Sequence, residues 1–158
     1  MNRVGIGFDV HPFAEDGARP LVLGGVELPG ERGLAGHSDA DVVAHAVADA
    51  LLGACALGDL GDHFPDSDPA WAGSDSVDGL LVAVVRLAGG AGWRPVNVDV
   101  TVVLEAPRLA PHRPRMQQRL SAAVGADVSV KATRAERLGA MGRGEGIACL
   151  AVALVEAR

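Results

Sequence analysis

The sequence is poor in the features that mark a protein for nucleic acid, a membrane or an oxidising compartment. Its 158 residues hold a single lysine, no basic run and a formal charge of −6, whereas a nucleic-acid binder needs a basic face to neutralise phosphates. No apolar stretch approaches a membrane span, and Met1 to Val10 lacks the pattern of a signal or transit peptide. These absences predict a cytoplasmic protein with no nucleic-acid or membrane partner. Only two cysteines occur, Cys55 and Cys149, far apart and set among Ala and Leu. That excludes a disulfide framework and predicts buried free thiols. Aromatic residues make up 3%, so the core must be built from Val, Leu and Ala, and such a thin core favours further burial by self-association.

The length fits one domain, residues 1–158. Val4 to Val10 reads as a strand, and Pro20 to Leu28 as an extended segment interrupted by Gly24-Gly25. From Asp39 to Cys55 the apolar positions Val43, Val47, Ala50, Leu51 and Ala54 recur at helical spacing, with Ser38 as the expected cap and Gly58 just beyond the end. A polar loop from Gly58 to Ser74 precedes a second helix, Asp75 to Ala88. Val96 to Leu104 is a β-branched strand stopped by Pro107; Arg113 to Val124 a helix; Asp127 to Thr133 a strand; and Gly146 to Val155 a closing strand. This order predicts an α/β fold of the α+β layer type, a mixed β-sheet with helices packed on one face.

Asp9 and His11 lie two apart on a strand and so leave the same face, and His45 sits on the following helix. An O/N/N set from such residues leaves a fourth position open, as catalytic Zn²⁺ requires. The plainer alternative is a strand-end histidine beside proline and a helical histidine meeting solvent. Asp41 and Asp49 flank His45 at minus four and plus four, and Asp49 is placed to orient the ring by accepting a hydrogen bond from its free N–H or to form part of a solvated charge stripe. His37-Ser38-Asp39 precedes the helix where free N–H groups favour an anion, phosphate above all, unless the segment is only a capping box. Gly58-Asp59-Leu60-Gly61 and Gly142-Arg143-Gly144-Glu145-Gly146 are turns that either expose N–H groups to phosphate or serve backbone geometry alone. Asp66 and Asp68 fit a hydroxyl, a hard cation or plain solvation. Lys131 is the lone exception to a bias for arginine, which marks a place for a compact ammonium or a surface lysine.

In order and spacing these segments resemble a known family: Gly7-Phe8-Asp9-Val10-His11, His37-Ser38-Asp39-Ala40-Asp41 with His45, Gly58-Asp59-Leu60-Gly61, Phe64-Pro65-Asp66-Ser67-Asp68, Asn97-Val98-Asp99-Val100-Thr101, Lys131-Ala132-Thr133 and Gly142 through Ala148. The chain resembles the 2-C-methyl-D-erythritol 2,4-cyclodiphosphate synthases from residue 4 to about 153. The resemblance implies a homotrimer with active sites between subunits, Zn²⁺ on Asp9, His11 and His45, and Mg²⁺ or Mn²⁺ on the substrate diphosphate. The substrate would be 4-diphosphocytidyl-2-C-methyl-D-erythritol 2-phosphate, whose 2-phosphate attacks the β-phosphorus and releases CMP. An intramolecular nucleophile needs no activated serine or cysteine, which agrees with the absence of any such arrangement in the sequence.

By the same resemblance His37 and Ser38 would contact the substrate phosphate, and Asp59, Gly61, Phe64, Asp66, Ser67 and Asp68 would line the methylerythritol site. Asp9 and His11 would also face substrate. Leu104, Glu105, Ala106, Pro107, Arg108, Leu109 and Ala110, with Lys131, Ala132, Thr133, Arg134, Ala135 and Glu136, would form the cytidine diphosphate pocket of the adjoining subunit, Ala140 would also meet substrate, and His37, Lys131, Thr133 and Arg134 would serve the chemistry. Arg143, with Glu145, would lie toward the three-fold axis beside an apolar cavity for an isoprenoid diphosphate. Three positions depart from the family pattern: Arg134 and Ala135 where Thr-Thr or Thr-Asn is usual, Ala140 in place of an aromatic residue, and Arg108 where lysine is frequent. The competing functions are a zinc-dependent phosphohydrolase and a non-catalytic nucleotide or isoprenoid-phosphate binding protein.

Overall fold

Strand β1 (Asn2–Pro12) alternates in an unusual sense, with Gly5 and Gly7 turned inward and Val4, Ile6, Phe8 and Val10 outward. The computed structural model, which describes residues 1–158, explains the glycines through α1 (Val42–Cys55), which lies directly on this strand. A Cβ at Gly7 would run into the backbone of Ala46, and one at Gly5 into that of Ala50. Helix α1 is correspondingly rich in alanine, with Ala44, Ala46, Ala48, Ala50 and Ala54 all fully buried. Small residues on both elements bring helix and sheet close together, which explains how a core with so few aromatics still packs densely.

The main sheet has the order β1-β6-β4-β5, formed with β4 (Trp93–Val103), β5 (Asp127–Thr133) and β6 (Gly146–Ala157). Strands β1 and β4 run antiparallel to β6, and β5 runs parallel to β4, so the sheet is mixed as expected. A parallel pair needs a crossover, and α4 (Arg113–Val124) supplies it between β4 and β5. The extended segment around Gly24-Gly25 forms a separate hairpin, β2 (Leu21–Leu23) with β3 (Val26–Leu28); both glycines have positive φ (59° and 72°), as a two-residue hairpin turn demands.

Several expected boundaries are corrected. Helix α1 begins at Val42 and is capped by Asp41, not by Ser38, because Ser38 and Ala40 are left-handed (φ 54° and 55°) and cannot lead into a right-handed turn. Its end at Cys55 is as expected, with left-handed Ala56 as the C-cap ahead of Gly58. The expected loop from 58 to 74 contains α2 (Leu60–His63), capped by Asp59, and a 3₁₀ turn at Pro69–Trp71 capped by Asp68. The expected helix from Asp75 is π-helical over Ser76–Leu81 before continuing as α3 (Val82–Gly90), since the Asp75 carbonyl accepts from both Gly79 and Leu80. A one-turn helix, α5 (Gly139–Gly142), precedes β6; glycine at both ends hides it from periodicity. Cys55 and Cys149 are free and buried. No helix is long and apolar enough to cross a membrane.

Candidate metal centre and nucleotide cleft

Beyond Gly7 the inward face of β1 continues with Asp9 and His11, which pass the N-terminal end of α1 where His45 stands in its first turns. The expected pairing of Asp9, His11 and His45 is therefore realised, with their donor atoms within 4.8 Å of one another. Asp9 Oδ2 is 2.9 Å from His11 Nε2 and 3.1 Å from His45 Nδ1, and the two nitrogens are 3.4 Å apart. These separations match the edges of a tetrahedron of donors, roughly 3.3 Å for metal–nitrogen bonds of about 2.0 Å.

Proton placement tells the same story. His11 Nδ1 lies 3.0 Å from the Ala35 carbonyl, which can only accept, so Nε2 is left bare toward the site. Gly36 makes room for that ring, since a Cβ there would lie 2.5 Å from His11 Nδ1. Burial works against the Asp9 charge, but in the absence of a cation, hydrogen bonds from His11 and His45 when their facing nitrogens carry protons outweigh it and hold the carboxyl well below the ordinary carboxylate range. For His45, burial opposes the proton and the hydrogen bond to Asp9 favours it, with a net upward shift. An ionised carboxylate between two imidazoles, open on one side, is a fitting donor set for a divalent cation.

Two expectations about the surroundings of His45 are corrected. Asp49 accepts from Leu60 N at 3.0 Å and does not bond the imidazole. Asp41 is fully buried and accepts from Val43 and Ala44 (3.1 Å each), Gly24 (2.9 Å) and Gly25 (2.7 Å). The N–H groups thought free for a phosphate at the start of α1 are thus already taken by the protein's own carboxylate. The ring of His45 meets Ser76 Oγ at 2.9 Å and Ser38 Oγ at 3.2 Å instead. Sequence reasoning missed Ser76, which lies 31 residues away in what read as an ordinary helix start.

The three candidate ligands open into a cavity of about 450 Å³ that His37, Ser38, Gly61, Phe64 and Asp66 also line, together with the unforeseen Leu60, Pro65, Trp71 and Leu80. Phe64 and Trp71 meet edge to face at 4.8 Å and make its apolar wall. His37 Nδ1 is 4.0 Å from the exposed Asp66 carboxylate. Asp59 lines an adjoining recess with Asp9 and His45, whereas Ser67 and Asp68 border neither, Asp68 being engaged with Ala70 N.

A second cavity, about 250 Å³, is enclosed by Leu104, Pro107, Arg108, Leu109, Ala110, Thr133 and Arg134, with Glu105, Ala132 and the unforeseen Arg113. Glu105 accepts from Ala135 N (2.9 Å) and so fastens the 105–110 loop to the segment carrying Arg134. Glu136 and Arg137 are left-handed (φ 53° and 63°), a strained path that this anchor helps to hold. Ala106, Ala135, Glu136 and Ala140 lie outside the lining. Lys131 points to the open face of the sheet, paired with Asp99 at 2.5 Å and outside both cavities. Arg143 pairs with Glu145 at 2.8 Å, exposed beside the start of β6.

Fold and site together define a class: a mixed-sheet α/β protein with an open three-donor metal centre at one sheet edge and a cation-rimmed cleft at the other. The chain matches the model of the YgbB family over residues 2–156 and belongs to that family. A relative from Symbiobacterium thermophilum named 2-C-methyl-D-erythritol 2,4-cyclodiphosphate synthase is 56% identical over 158 residues, covering 98% of this chain and 99% of the relative. The bifunctional IspDF of Campylobacter jejuni matches with a TM-score of 0.89 and 35% identity, over 100% of this chain and 43% of that one. The CDP complex of Plasmodium falciparum IspF matches at 0.83 and 28%, over 99% and 97%. The curated relatives are thus enzymes by name.

Proposed function

We propose that the protein is a phosphorus–oxygen lyase that converts 4-diphosphocytidyl-2-C-methyl-D-erythritol 2-phosphate into 2-C-methyl-D-erythritol 2,4-cyclodiphosphate and CMP. The observation that carries this reading is the convergence of Asp9, His11 and His45 on one open point beside a cavity of substrate size, in a chain 56% identical to a synthase of that name. Asp9, His11 and His45 would hold one Zn²⁺, which would supply positive charge against the reacting phosphate oxygens, with Mg²⁺ or Mn²⁺ accompanying the substrate diphosphate. His37 and Ser38 receive the 2-phosphate, and the wall of Phe64 and Trp71 excludes water from the methylerythritol moiety. The 2-phosphate attacks the β-phosphorus and CMP departs, so the chain's task is orientation and charge neutralisation. Well-oriented intramolecular attack lowers the barrier by about 7–11 kcal/mol. Thr133, Arg134 and Arg108 receive the cytidine diphosphate, and Arg113 adds a further positive charge at that cleft.

The two cavities share no lining residue. The metal ligands come from β1 and the adjoining helix, while Thr133 ends β5, and these strands are the opposite edges of the sheet. That separation supports active sites completed between copies in a homotrimer. The outward apolar row Val4, Ile6, Phe8, Val10, Leu150 and Val152, each at least 37% exposed, supports self-association too. On this reading Arg143 and Glu145, an exposed pair beside the start of β6, would lie toward the axis and an isoprenoid diphosphate there. Product analysis tests the reaction: the cytidyl substrate with Zn²⁺ and Mg²⁺ should yield CMP plus the cyclic diphosphate. CMP with an open-chain phosphate would instead make the protein a hydrolase, and unchanged substrate a binding protein.

A further inference from the structure

His45 is gripped on the side away from the metal point by groups from two other segments. Its Nε2 lies 2.9 Å from Ser76 Oγ and 3.2 Å from Ser38 Oγ, and the two hydroxyls are 3.0 Å apart. Ser76 Oγ in turn makes a very short hydrogen bond to Asp39 Oδ1. Ser76 is fully buried and Ser38 nearly so. A hydroxyl has one proton to give and two lone pairs. The carboxylate of Asp39 can only accept, so the Ser76 proton goes to it. Both remaining lone pairs of Ser76 then accept, one from Ser38 and one from His45 Nε2–H. With Nε2 protonated, each contact of Ser76 is satisfied. The opposite tautomer, with Nε2 bare, would leave the 2.9 Å contact to Ser76 without a proton.

The carboxylate at the end of this chain is itself held. Asp39 Oδ2 accepts from Ser76 N at 3.0 Å, Asp39 Oδ1 from Asp41 N at 3.1 Å, and Asp39 N donates to the Ser74 carbonyl at 3.2 Å. The flanking residues Ser38 and Ala40 are both left-handed, a conformation that non-glycine residues keep only where the surroundings impose it. Segment 37–41 is thus bent out of its ordinary path in a way that delivers Asp39 to Ser76.

We propose that Asp39 and Ser76 are positioning residues of the metal centre: the relay Asp39–Ser76–His45 fixes the imidazole as its Nε2–H tautomer and aims bare Nδ1 at the divalent ion. The inference rests on the reading of Asp9, His11 and His45 as the metal site. Groups behind a metal-bound imidazole typically change metal affinity 10- to 100-fold when removed.

The test is a zinc titration of the full-length, metal-stripped protein against a chromophoric chelator, for the parent, Ser76→Ala, Asp39→Asn and His45→Ala. Ser76→Ala and Asp39→Asn should each bind zinc about 10- to 100-fold more weakly than the parent. Asp39→Asn keeps the side-chain shape and serves where Ser76→Ala does not fold. Histidine-labelled ¹H–¹⁵N spectra of the zinc-loaded parent should show a His45 Nε2-bound proton protected from solvent exchange, and Ser76→Ala should lose that protection. A relay that matters only for folding would lower the melting temperature of the metal-free variants and leave zinc affinity within about threefold of the parent; that result overturns the proposal. Zinc binding undiminished in His45→Ala would instead sink the metal reading itself.

Discussion

Gly7 shows how much one absent methyl group can decide. Its inward position lets the backbone of α1 rest on β1, and that approach sets where His45 stands relative to Asp9 and His11. Gly7→Ala should cost about 3 kcal/mol, the upper end of overpacking penalties because the obstacle is backbone. Urea unfolding of the metal-free protein measures it, and a parent-like midpoint would mean that α1 shifts freely. At the metal point itself, protein purified without added metal should carry one zinc per chain by elemental analysis, and His45→Ala should carry none. Arg134 is the residue at which the chain leaves its family pattern, and the structure gives it an exposed place on the rim of the second cavity. A charged hydrogen bond is worth about 1.5–3 kcal/mol, or roughly 10- to 150-fold in rate where it forms mainly in the transition state. Arg134→Ala is therefore expected to lower kcat/KM at least about tenfold, with Arg134→Thr recovering part. Unchanged kinetics in the alanine variant would leave Thr133 and Lys131 to meet the phosphates.

The element on which most of the site depends is α1, and its N-terminus is tied to the β2–β3 hairpin by one buried carboxylate. Asp41 satisfies two helix N–H groups and both hairpin glycines. Removing it as Asp41→Ala strands four donors and should cost about 3 kcal/mol or more, well above an exposed cap. Burial first, and repulsion from Asp39 second, push the Asp41 carboxyl up to about 6, against the N–H groups of Gly25, Ala44 and Gly24. Its ordinary value is 3.8, so the folded state binds this proton more tightly than the unfolded state does. Stability from the group is accordingly full below about pH 4 and falls as pH rises toward 6, by on the order of 2–3 kcal/mol. Denaturation of metal-free parent and Asp41→Asn across pH 4 to 7 should show the parent losing ground to the variant over that interval. A constant difference between the two would mean that the carboxyl titrates at its usual value.

At the scale of the whole molecule, one sheet edge carries the candidate metal ligands, the other carries the cleft with Thr133 and Arg134, and an apolar row lies exposed on the outward side of β1 and β6. Light scattering should give the mass of a trimer at working concentrations; a monomer mass would contradict shared sites. Mixing an inactive His37 variant with an inactive Lys131 variant should restore part of the activity, since a mixed trimer can pair an intact His37 cavity with an intact Lys131. No recovery after subunits have exchanged would place both residues in one chain's site. Lys131 makes this informative, because within its own chain it pairs with Asp99 and faces away from both cavities.

By itself the sequence determined the strands, the principal helix, the mixed sheet and the candidate metal-binding trio, because these follow from short-range rules. Two-residue spacing puts Asp9 and His11 on one face, helical spacing marks α1, and β-branched runs mark β4 and β5. The bounds of α4 and β5 agree to the residue. Tertiary structure alone decided what stands behind those ligands. Asp49 has the right helical offset to support His45, yet its carboxylate turns to Leu60, while Ser76, itself held by Asp39, reaches the ring from a segment whose meeting with α1 no local pattern encodes. Ser38 looks like a helix cap until its left-handed backbone is seen, and Asp41 looks solvated until the hairpin closes over it. Local spacing fixes which way a side chain leaves its own element; which partner it meets depends on contacts between residues distant in the chain, and those exist only once the core has packed.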